Sequence, residues 1–109
     1  MKKLLSMLLA LALVAALFVP AASAAGEYAG KTVVLYTGNL RGNIDVYAQI
    51  AAAKADYEAK GAEVVLVDAG NFLQGSAYAN SDRGVIIYGM MFLVGYDLAA
   101  MGKYEFVYG

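Results

Sequence analysis

The side chains that could do chemistry in this sequence lie in three short stretches that contain glycine. Each stretch follows an apolar run and offers carboxylate, amide or cationic groups. Carboxylate and amide oxygens suit hard cations such as Mg²⁺ or Ca²⁺, whereas arginine and lysine suit phosphate or carboxylate anions. The stretches read TGNLRG at 37–42, DAGNFLQG at 68–75 and GKYEFVYG at 102–109.

Two residue types that are common in active sites are missing from the sequence. The chain has no histidine, which is the commonest general base and a frequent metal ligand. It has no cysteine, which excludes disulfide bonds and thiolate catalysis. It also lacks the nucleotide-binding patterns G-x-G-x-x-G and G-x-x-x-x-G-K-S/T. Any chemistry must therefore come from the oxygen ligands and cations of the three stretches.

Periodicity predicts the elements that position the first two stretches. The β-branched run 32–37 predicts a strand, and the apolar run 63–68 predicts a strand buried on both faces. Between them Asn43 is the expected N-cap of a helix that starts near Ile44 and ends before Gly61. The expected exposed ion pairs are Lys54–Glu58 and Asp56–Lys60. The expected apolar face consists of Ile44, Tyr47, Ala48, Ala51 and Ala55.

The second half of the chain repeats this alternation. Ser81 or Asp82 is expected to cap a helix that runs to Val94 and ends at Gly95. This helix is apolar almost all round, which predicts burial on more than one side or a packing partner. Residues 96–101 predict a third strand. The β-α-β-α-β order predicts an α/β fold with parallel strands and places all three stretches at one edge of the sheet.

The order and spacing of the stretches resemble the N-terminal half of the secreted 5′-nucleotidase branch of the calcineurin-like metallophosphoesterases. That family has T-N-D-x-H-G, D-A-G-D-x-x-Q-G and G-N-H-E-F-D-Y-G, with G-Y-D before the third stretch, as at 95–97 here. The likeness covers residues 32–109. It implies that residues 25–109 form the N-terminal portion of a metallophosphoesterase-like α/β sandwich. The family hydrolyses phosphoesters such as nucleotides with a pair of divalent metal ions.

The metal and catalytic positions of that family hold other residues in this chain. The four metal-ligand positions are occupied by Asn39, Arg41, Asn71 and Lys103. The His that assists the leaving group, and the Asp beside it, correspond to Tyr104 and Val107. The surrounding pattern is kept at Thr37, Gly42, Asp68, Gly70, Gln74, Gly75, Gly102, Glu105, Phe106, Tyr108 and Gly109.

These replacements change the charge that a metal pair would meet. Relative to the family pattern, two aspartates become asparagines, while arginine and lysine add two positive charges. At short range each such charge is worth several kcal/mol, even at an effective dielectric constant of about 20. We therefore expect neither the metal pair nor another cofactor, and a catalytically inactive domain. Arg41, Lys103 and Asn71 become candidates for binding a phosphate or nucleotide-like anion.

Three interpretations stay open at this point. The inactive domain either binds an anion or leaves Arg41 and Lys103 as solvated loop cations. A second interpretation is an active nucleotide or phosphoester hydrolase with an oxygen-ligand metal site. Its ligands would come from Asp68, Glu105, Asn39 and Asn71. Asp68 can equally accept N–H bonds from the following turn. The third is an interaction domain that packs against a C-terminal domain or a protein partner.

Residues 1–24 have the pattern of a cleavable secretory signal peptide. Lys2 and Lys3 precede an apolar run that is broken at Pro20, and Ala22-Ser23-Ala24 is a small-x-small cleavage motif. We predict cleavage after Ala24 and export to the periplasm, cell envelope or medium, without membrane attachment afterwards.

The mature part, residues 25–109, is long enough for one domain. Lys2 and Lys3 are two of the eight basic residues, so six basic and nine acidic residues remain, a net charge of −3. There is no basic cluster, and nucleic acid is not expected as a partner. A domain of this size leaves much of its surface uncovered, which predicts that the sequence is the front part of a longer chain.

Overall fold

A computed structural model describes residues 2–17 and 26–108. Its strands form one open parallel sheet in the order β1-β2-β3, and the fold is therefore α/β, as the sequence pattern predicts. The strands are β1 (Thr32–Thr37), β2 (Glu63–Asp68) and β3 (Leu98–Ala99). The helices are α1 (Lys2–Leu17), α2 (Tyr47–Ala59), α3 (Ala77–Ser81) and α4 (Val85–Val94), with a 3-10 helix at Lys103–Phe106.

β1 and β2 pair along their whole length, and their bounds agree with the prediction. The third strand was predicted over residues 96–101, which is wrong in length, because β3 contains only two residues. Tyr96 is not free for the ladder, since its N–H closes α4 on the carbonyl oxygen of Met91 at 3.1 Å. Beyond β3, the N–H of Gly102 donates to Glu105 Oε2 at 2.6 Å. The N–H groups of Asp97 and Ala100 still donate to β2, and the chain leaves the sheet beyond these two residues.

α2 begins three residues later than predicted. Asn43 is not its N-cap, because Asn43 Oδ1 accepts from the N–H of Asp45 at 3.0 Å in a turn that precedes the helix. The N-cap position is held by Val46 without a side-chain hydrogen bond. The end agrees with the prediction. Gly61 has a φ of +88° and donates to the carbonyl oxygen of Glu58 at 2.9 Å, which satisfies a carbonyl group that the helix leaves open.

The packed face of α2 differs from the predicted one. Tyr47 is buried, but the predicted residues Ala48 and Ala55 are exposed. Lys54 lies on the packed side instead, where its Nζ donates to the carbonyl oxygen of Gly95 at 2.6 Å. Lys54 is therefore bound to the end of α4 rather than paired with Glu58. The other predicted pair, Lys60–Asp56, forms with a distance of 2.7 Å.

The helix predicted to be capped by Ser81 or Asp82 and to run to Val94 is observed as α4, which begins only at Val85, and the short helix α3 before it was not predicted. Arg83 and Gly84 separate α3 from α4 with φ values of +59° and +83°, a left-handed conformation that no helix continues through. Asp82 still serves the start of α4, since its Oδ2 accepts from the N–H of Ile86 at 2.7 Å. α4 ends at Gly95, as predicted, with a φ of +78°.

The helices cover one face of the sheet. α2 packs on β2, and α4 packs on α2. On the other face Tyr36 is 80% exposed, and its register partner Val67 is half-buried. The prediction that β2 is buried on both faces is therefore wrong for this face. The core consists of Tyr47, Phe72, Leu73, Ala79, Ile87 and Met91, with Leu66 buried in β2.

α1 lies within the predicted signal peptide, and its side chains from residue 4 to residue 11 are exposed. The predicted cleavage motif, Ala22 to Ala24, lies outside the described residues. Across residues 2–17 and 26–108, no helix has the length and apolar character needed to cross a bilayer.

Candidate functional site

The three predicted stretches lie together at the carboxyl edge of the sheet. They belong to three loops, which we call loop 1 (residues 38–46), loop 2 (69–76) and loop 3 (100–108). Loop 1 lies alongside loop 2, because the N–H of Asn39 donates to the carbonyl oxygen of Gly70 at 2.8 Å. The N–H of Arg41 donates to the carbonyl oxygen of Asn71 at 2.9 Å. These bonds extend the pairing of β1 and β2 past the ends of both strands.

Two glycines allow the loops to approach this closely. Gly70 has a φ of +100°, and a Cβ atom there would lie 2.8 Å from the backbone nitrogen of Gly102 in loop 3. Gly75 has a φ of +139°, and a Cβ atom there would overlap the carbonyl oxygen of Arg41 in loop 1. Both conformations and both contacts exclude a side chain. Two kept positions of the sequence pattern therefore have a packing reason.

Glu105 joins loop 3 to loop 2. The residue is buried, with 6% of its surface exposed. Oε2 accepts from the N–H groups of Asn71 at 2.9 Å and Gly102 at 2.6 Å. Oε1 accepts from those of Phe72 at 2.7 Å and Leu73 at 3.2 Å. Four backbone donors thus surround one carboxylate, which fills the concave surface that successive N–H groups of loop 2 form.

This environment favours the charged form of Glu105. Burial by itself raises the pKa of the carboxyl, because a charge is less stable away from water. The four backbone N–H groups act in the opposite direction and outweigh burial, so the pKa lies below its usual value. Glu105 is therefore an ionised clamp for the loop backbone. Its bonds leave it poorly placed to serve as a metal ligand as well.

Asp68 is the second buried carboxylate of this edge, and it too is engaged. Thr37 Oγ1 donates to Asp68 Oδ2, and the N–H of Gly70 donates to Asp68 Oδ1 at 2.7 Å. The interpretation in which Asp68 accepts a bond from the following turn is confirmed. Because the Thr37 proton points to Asp68, the Tyr96 hydroxyl 2.9 Å away is the donor to Thr37 Oγ1.

Two tyrosines close this cluster, and sequence analysis assigned neither of them to the site. Tyr47 and Tyr96 meet edge to face, with ring centroids 6.3 Å apart. Burial, followed by the proximity of Tyr96 and Asp68, raises the pKa of the Tyr47 hydroxyl. Burial also raises the pKa of Tyr96, and the negative charge of Asp68 acts in the same direction. The Tyr47 hydroxyl is buried without a hydrogen-bond partner. For Tyr47, the sequence showed only an apolar position on a predicted helix, which indicates packing.

The predicted anion-binding residues are gathered around Asn71. Its carbonyl oxygen accepts from the N–H of Arg41, and its Oδ1 accepts from the N–H of Tyr104 at 3.4 Å. Lys103 precedes Tyr104 and is exposed, with its Nζ 5.5 Å from the centre of the Tyr104 ring. The Arg41 side chain is also exposed. Asn71 thus links the two loops that carry the cationic side chains.

Three residues that the sequence resemblance aligns with metal ligands share a strained backbone. Asn39, Arg41 and Asn71 have φ values of +56°, +54° and +61°. Asparagine adopts this region more readily than most residues, whereas arginine does so at a cost. Such strain is concentrated at functional sites. Val107, which the resemblance aligns with an aspartate of the catalytic pair, is about half exposed and lies in the turn after the 3-10 helix.

The donor set does not suit the metal pair that the family uses. The ligand positions carry two amides and two cations, and the nearby carboxylates Asp68 and Glu105 are bound to hydroxyl and backbone donors. Within the described part of the chain, no group of three or more acidic, histidine or cysteine residues could hold a metal ion. The searches return no match to this chain among protein-family models, curated proteins or solved structures.

Proposed function

We propose that this chain is an exported domain of metallophosphoesterase type that no longer hydrolyses phosphoesters and instead binds a phosphate-bearing anion at its loop edge. The observation that carries the proposal is the junction at Asn71. It ties Arg41 of loop 1 to the Lys103–Tyr104 corner of loop 3 by two hydrogen bonds. Two exposed cations thereby stand on neighbouring loops of one edge.

The chemistry of these two side chains supports an anion as the ligand. Arginine offers a planar fork that matches two oxygens of a phosphate, and lysine adds a mobile point charge. Within the described residues the salt bridge that forms, Lys60–Asp56, involves neither of them.

The two buried carboxylates support the loss of hydrolysis. A two-metal hydrolase needs free anionic ligands to bring two dications within about 4 Å of each other. Asp68 and Glu105 use their oxygens to hold Thr37 and the loop backbone. Binding a metal there would break bonds that keep the loops together.

The test is a titration of the full chain with inorganic phosphate and with AMP, read by calorimetry and by the shift in melting temperature. We expect binding that Arg41→Ala or Lys103→Ala weakens about fivefold each, the effect of a partly exposed charged contact. Arg83→Ala is the matched control, because Arg83 is also exposed and also has a left-handed φ, +59° against +54° for Arg41. Equal loss in all three variants, or no binding, refutes the anion site.

A parallel assay measures hydrolysis of AMP and an aryl phosphate with and without added Mn²⁺. We expect no turnover and no metal-dependent rise in melting temperature. Metal-dependent turnover that Asn71→Ala abolishes refutes the inactive domain. That result would establish the oxygen-ligand hydrolase in its place.

A further inference from the structure

The outward side of α4 is an apolar surface that residues 2–17 and 26–108 leave exposed. The inward residues Ile87 and Met91 are buried in the core. On the opposite side, the larger side chains are between 50% and 85% exposed. They recur at the spacing of one helix face. We call this surface the outer stripe, and it consists of Val85, Tyr88, Gly89, Phe92 and Leu93.

The outer stripe continues onto the edge of the sheet. A groove of about 210 Å³ runs between α4 and β3, and its walls include Tyr88, Phe92 and Leu98. Leu98 itself is largely exposed. No charged residue occurs anywhere in α4. Exposed apolar surfaces of this kind mark sites of protein association.

Gly89 lies in the middle of the outer stripe, where the fold of a single copy gives no reason for it. A Cβ atom at this position would meet nothing within 4 Å. Apart from proline, glycine is the least favourable residue in a helix interior. A glycine here does leave a flat spot at which a second helix can approach the α4 backbone closely.

We propose that two copies of this chain associate through their outer stripes, with the two α4 helices antiparallel about a two-fold axis near Gly89. A two-fold interface brings the same surface of both copies together. Because α4 has no charge, this pairing meets no like-charge repulsion along the helices. The antiparallel direction also sets the positive end of each helix dipole beside the negative end of the other.

Charges beyond the helix ends favour this direction. Arg83 before α4 and Asp97 after it are both exposed, and each lies seven residues from Met90, which is next to Gly89 at the proposed axis. Asp97 Oδ2 accepts from the N–H of Leu66 at 2.8 Å, which leaves Oδ1 for an arginine. An antiparallel pair of α4 helices centred at Met90 puts Arg83 of each copy next to Asp97 of the other. The symmetry makes this contact twice. A parallel pair would instead bring like charges together.

The available area fits a weak and reversible dimer. At the exposures observed, the four larger side chains of the outer stripe and Leu98 offer on the order of 100 Å² each. The interface would then bury roughly 1,000 Å² over both copies, the lower end for a specific interface. We therefore expect association that depends on protein concentration rather than a permanent dimer.

The absence of cysteine allows a direct test in the full chain as it is expressed. Gly89→Cys places one thiol near the proposed axis, and Tyr36→Cys places one on the exposed sheet face, where Tyr36 is 80% exposed. After oxidation, a gel run without reductant measures the fraction of covalent dimer. We expect dimer from Gly89→Cys at several times the yield from Tyr36→Cys.

A second substitution tests the outer stripe itself. Phe92 is 85% exposed, so Phe92→Asp should leave the fold intact, which circular dichroism checks. We expect Phe92→Asp to lower the Gly89→Cys dimer yield at least fivefold, and Leu93→Asp to act in the same direction. No dimer from Gly89→Cys, equal yields at both thiol positions, adducts with other proteins in place of the dimer, or a yield unaffected by Phe92→Asp overturns the proposal.

Discussion

Replacing Glu105 by glutamine tests whether its carboxylate holds the loop edge together. The side chain keeps its shape, but one carboxylate oxygen becomes an NH₂ group. If the remaining oxygen accepts from Phe72 and Leu73, the new NH₂ group faces the N–H groups of Asn71 and Gly102. The two backbone N–H groups would then face the NH₂ group of the glutamine, which is itself a donor, and would have no acceptor.

The size of the effect follows from these two lost acceptors. Leaving a buried N–H group without a partner costs about 1–3 kcal/mol. For two such groups we expect Glu105→Gln to lower the free energy of unfolding by about 3 kcal/mol. The domain has a total stability of roughly 4–12 kcal/mol for its size. The melting temperature should therefore fall by about 12–24 °C.

The pH dependence gives a second and independent signal. The folded state lowers the pKa of Glu105 below the ordinary value of 4.5. Its stabilisation is therefore complete above pH 4.5 and is lost as the pH falls through the lower folded-state pKa. Glu105→Gln should remove this part of the acid destabilisation. The difference in stability between the two proteins should narrow below about pH 4.

Urea unfolding followed by circular dichroism measures both effects. Glu58→Gln is the control, because Glu58 is exposed on α2 and should change stability by less than about 0.5 kcal/mol. The reasoning is refuted if Glu105→Gln also changes stability by less than that amount at pH 7. It is equally refuted if the difference from the unsubstituted chain stays constant from pH 7 to pH 3.

Three further comparisons test the packing, each by urea unfolding at low protein concentration. Gly75→Ala should lower the free energy of unfolding by about 2–4 kcal/mol, because the new Cβ would meet Arg41 at a φ of +139°. Gly89→Ala should raise the free energy of unfolding by up to about 1 kcal/mol. Changes of the same sign in both variants would contradict the glycine argument. Tyr47→Phe should leave the free energy of unfolding unchanged or raise it by about 1 kcal/mol, since its hydroxyl is buried without a partner among the described residues. Tyr96→Phe should lower the free energy of unfolding by about 1 kcal/mol, because it removes the hydrogen bond to Thr37. A larger loss for Tyr47→Phe than for Tyr96→Phe would show that the Tyr47 hydroxyl is hydrogen-bonded. Lys54→Met should lower the free energy of unfolding by about 1–2 kcal/mol, because it removes the hydrogen bond to the carbonyl oxygen of Gly95. An unchanged free energy of unfolding would mean that this contact does not hold α4.

The features predicted well from the sequence depend on residues close together in the chain. The β-branched run 32–37 and the apolar run 63–68 predicted both strands with their observed bounds. Gly61 and Gly95 were predicted to end their helices, and both have the positive φ that such an end requires. The parallel pairing followed from the length of the connection, which rules out a hairpin.

The incorrect predictions concern residues whose partners are distant in the sequence. Lys54 was assigned to Glu58 four residues away, but it bonds to Gly95 across the helix pair. The break at Arg83 and Gly84 lies between the polar residues 80–82 and the apolar run that begins at Val85, and the periodicity of that run gives no sign of it. A Cβ atom on Gly84 would lie 2.9 Å from Leu73 Cδ2, so the turn is determined by packing against loop 2.

The sequence by itself therefore determined the type and order of the elements, and the edge at which the three stretches lie. It also named Arg41, Asn71 and Lys103 as neighbours on that edge. Only the tertiary structure decided what the two acidic residues do there. Glu105 and Asp68 became structural because parallel strands and tight glycine contacts bring distant donors onto their oxygens. Asp68 meets the Thr37 hydroxyl 31 residues away and an N–H of the adjacent turn. Glu105 meets backbone N–H groups 32 to 34 residues away. Periodicity reports which face of an element is apolar, but it carries no information about which distant donor will meet a carboxylate.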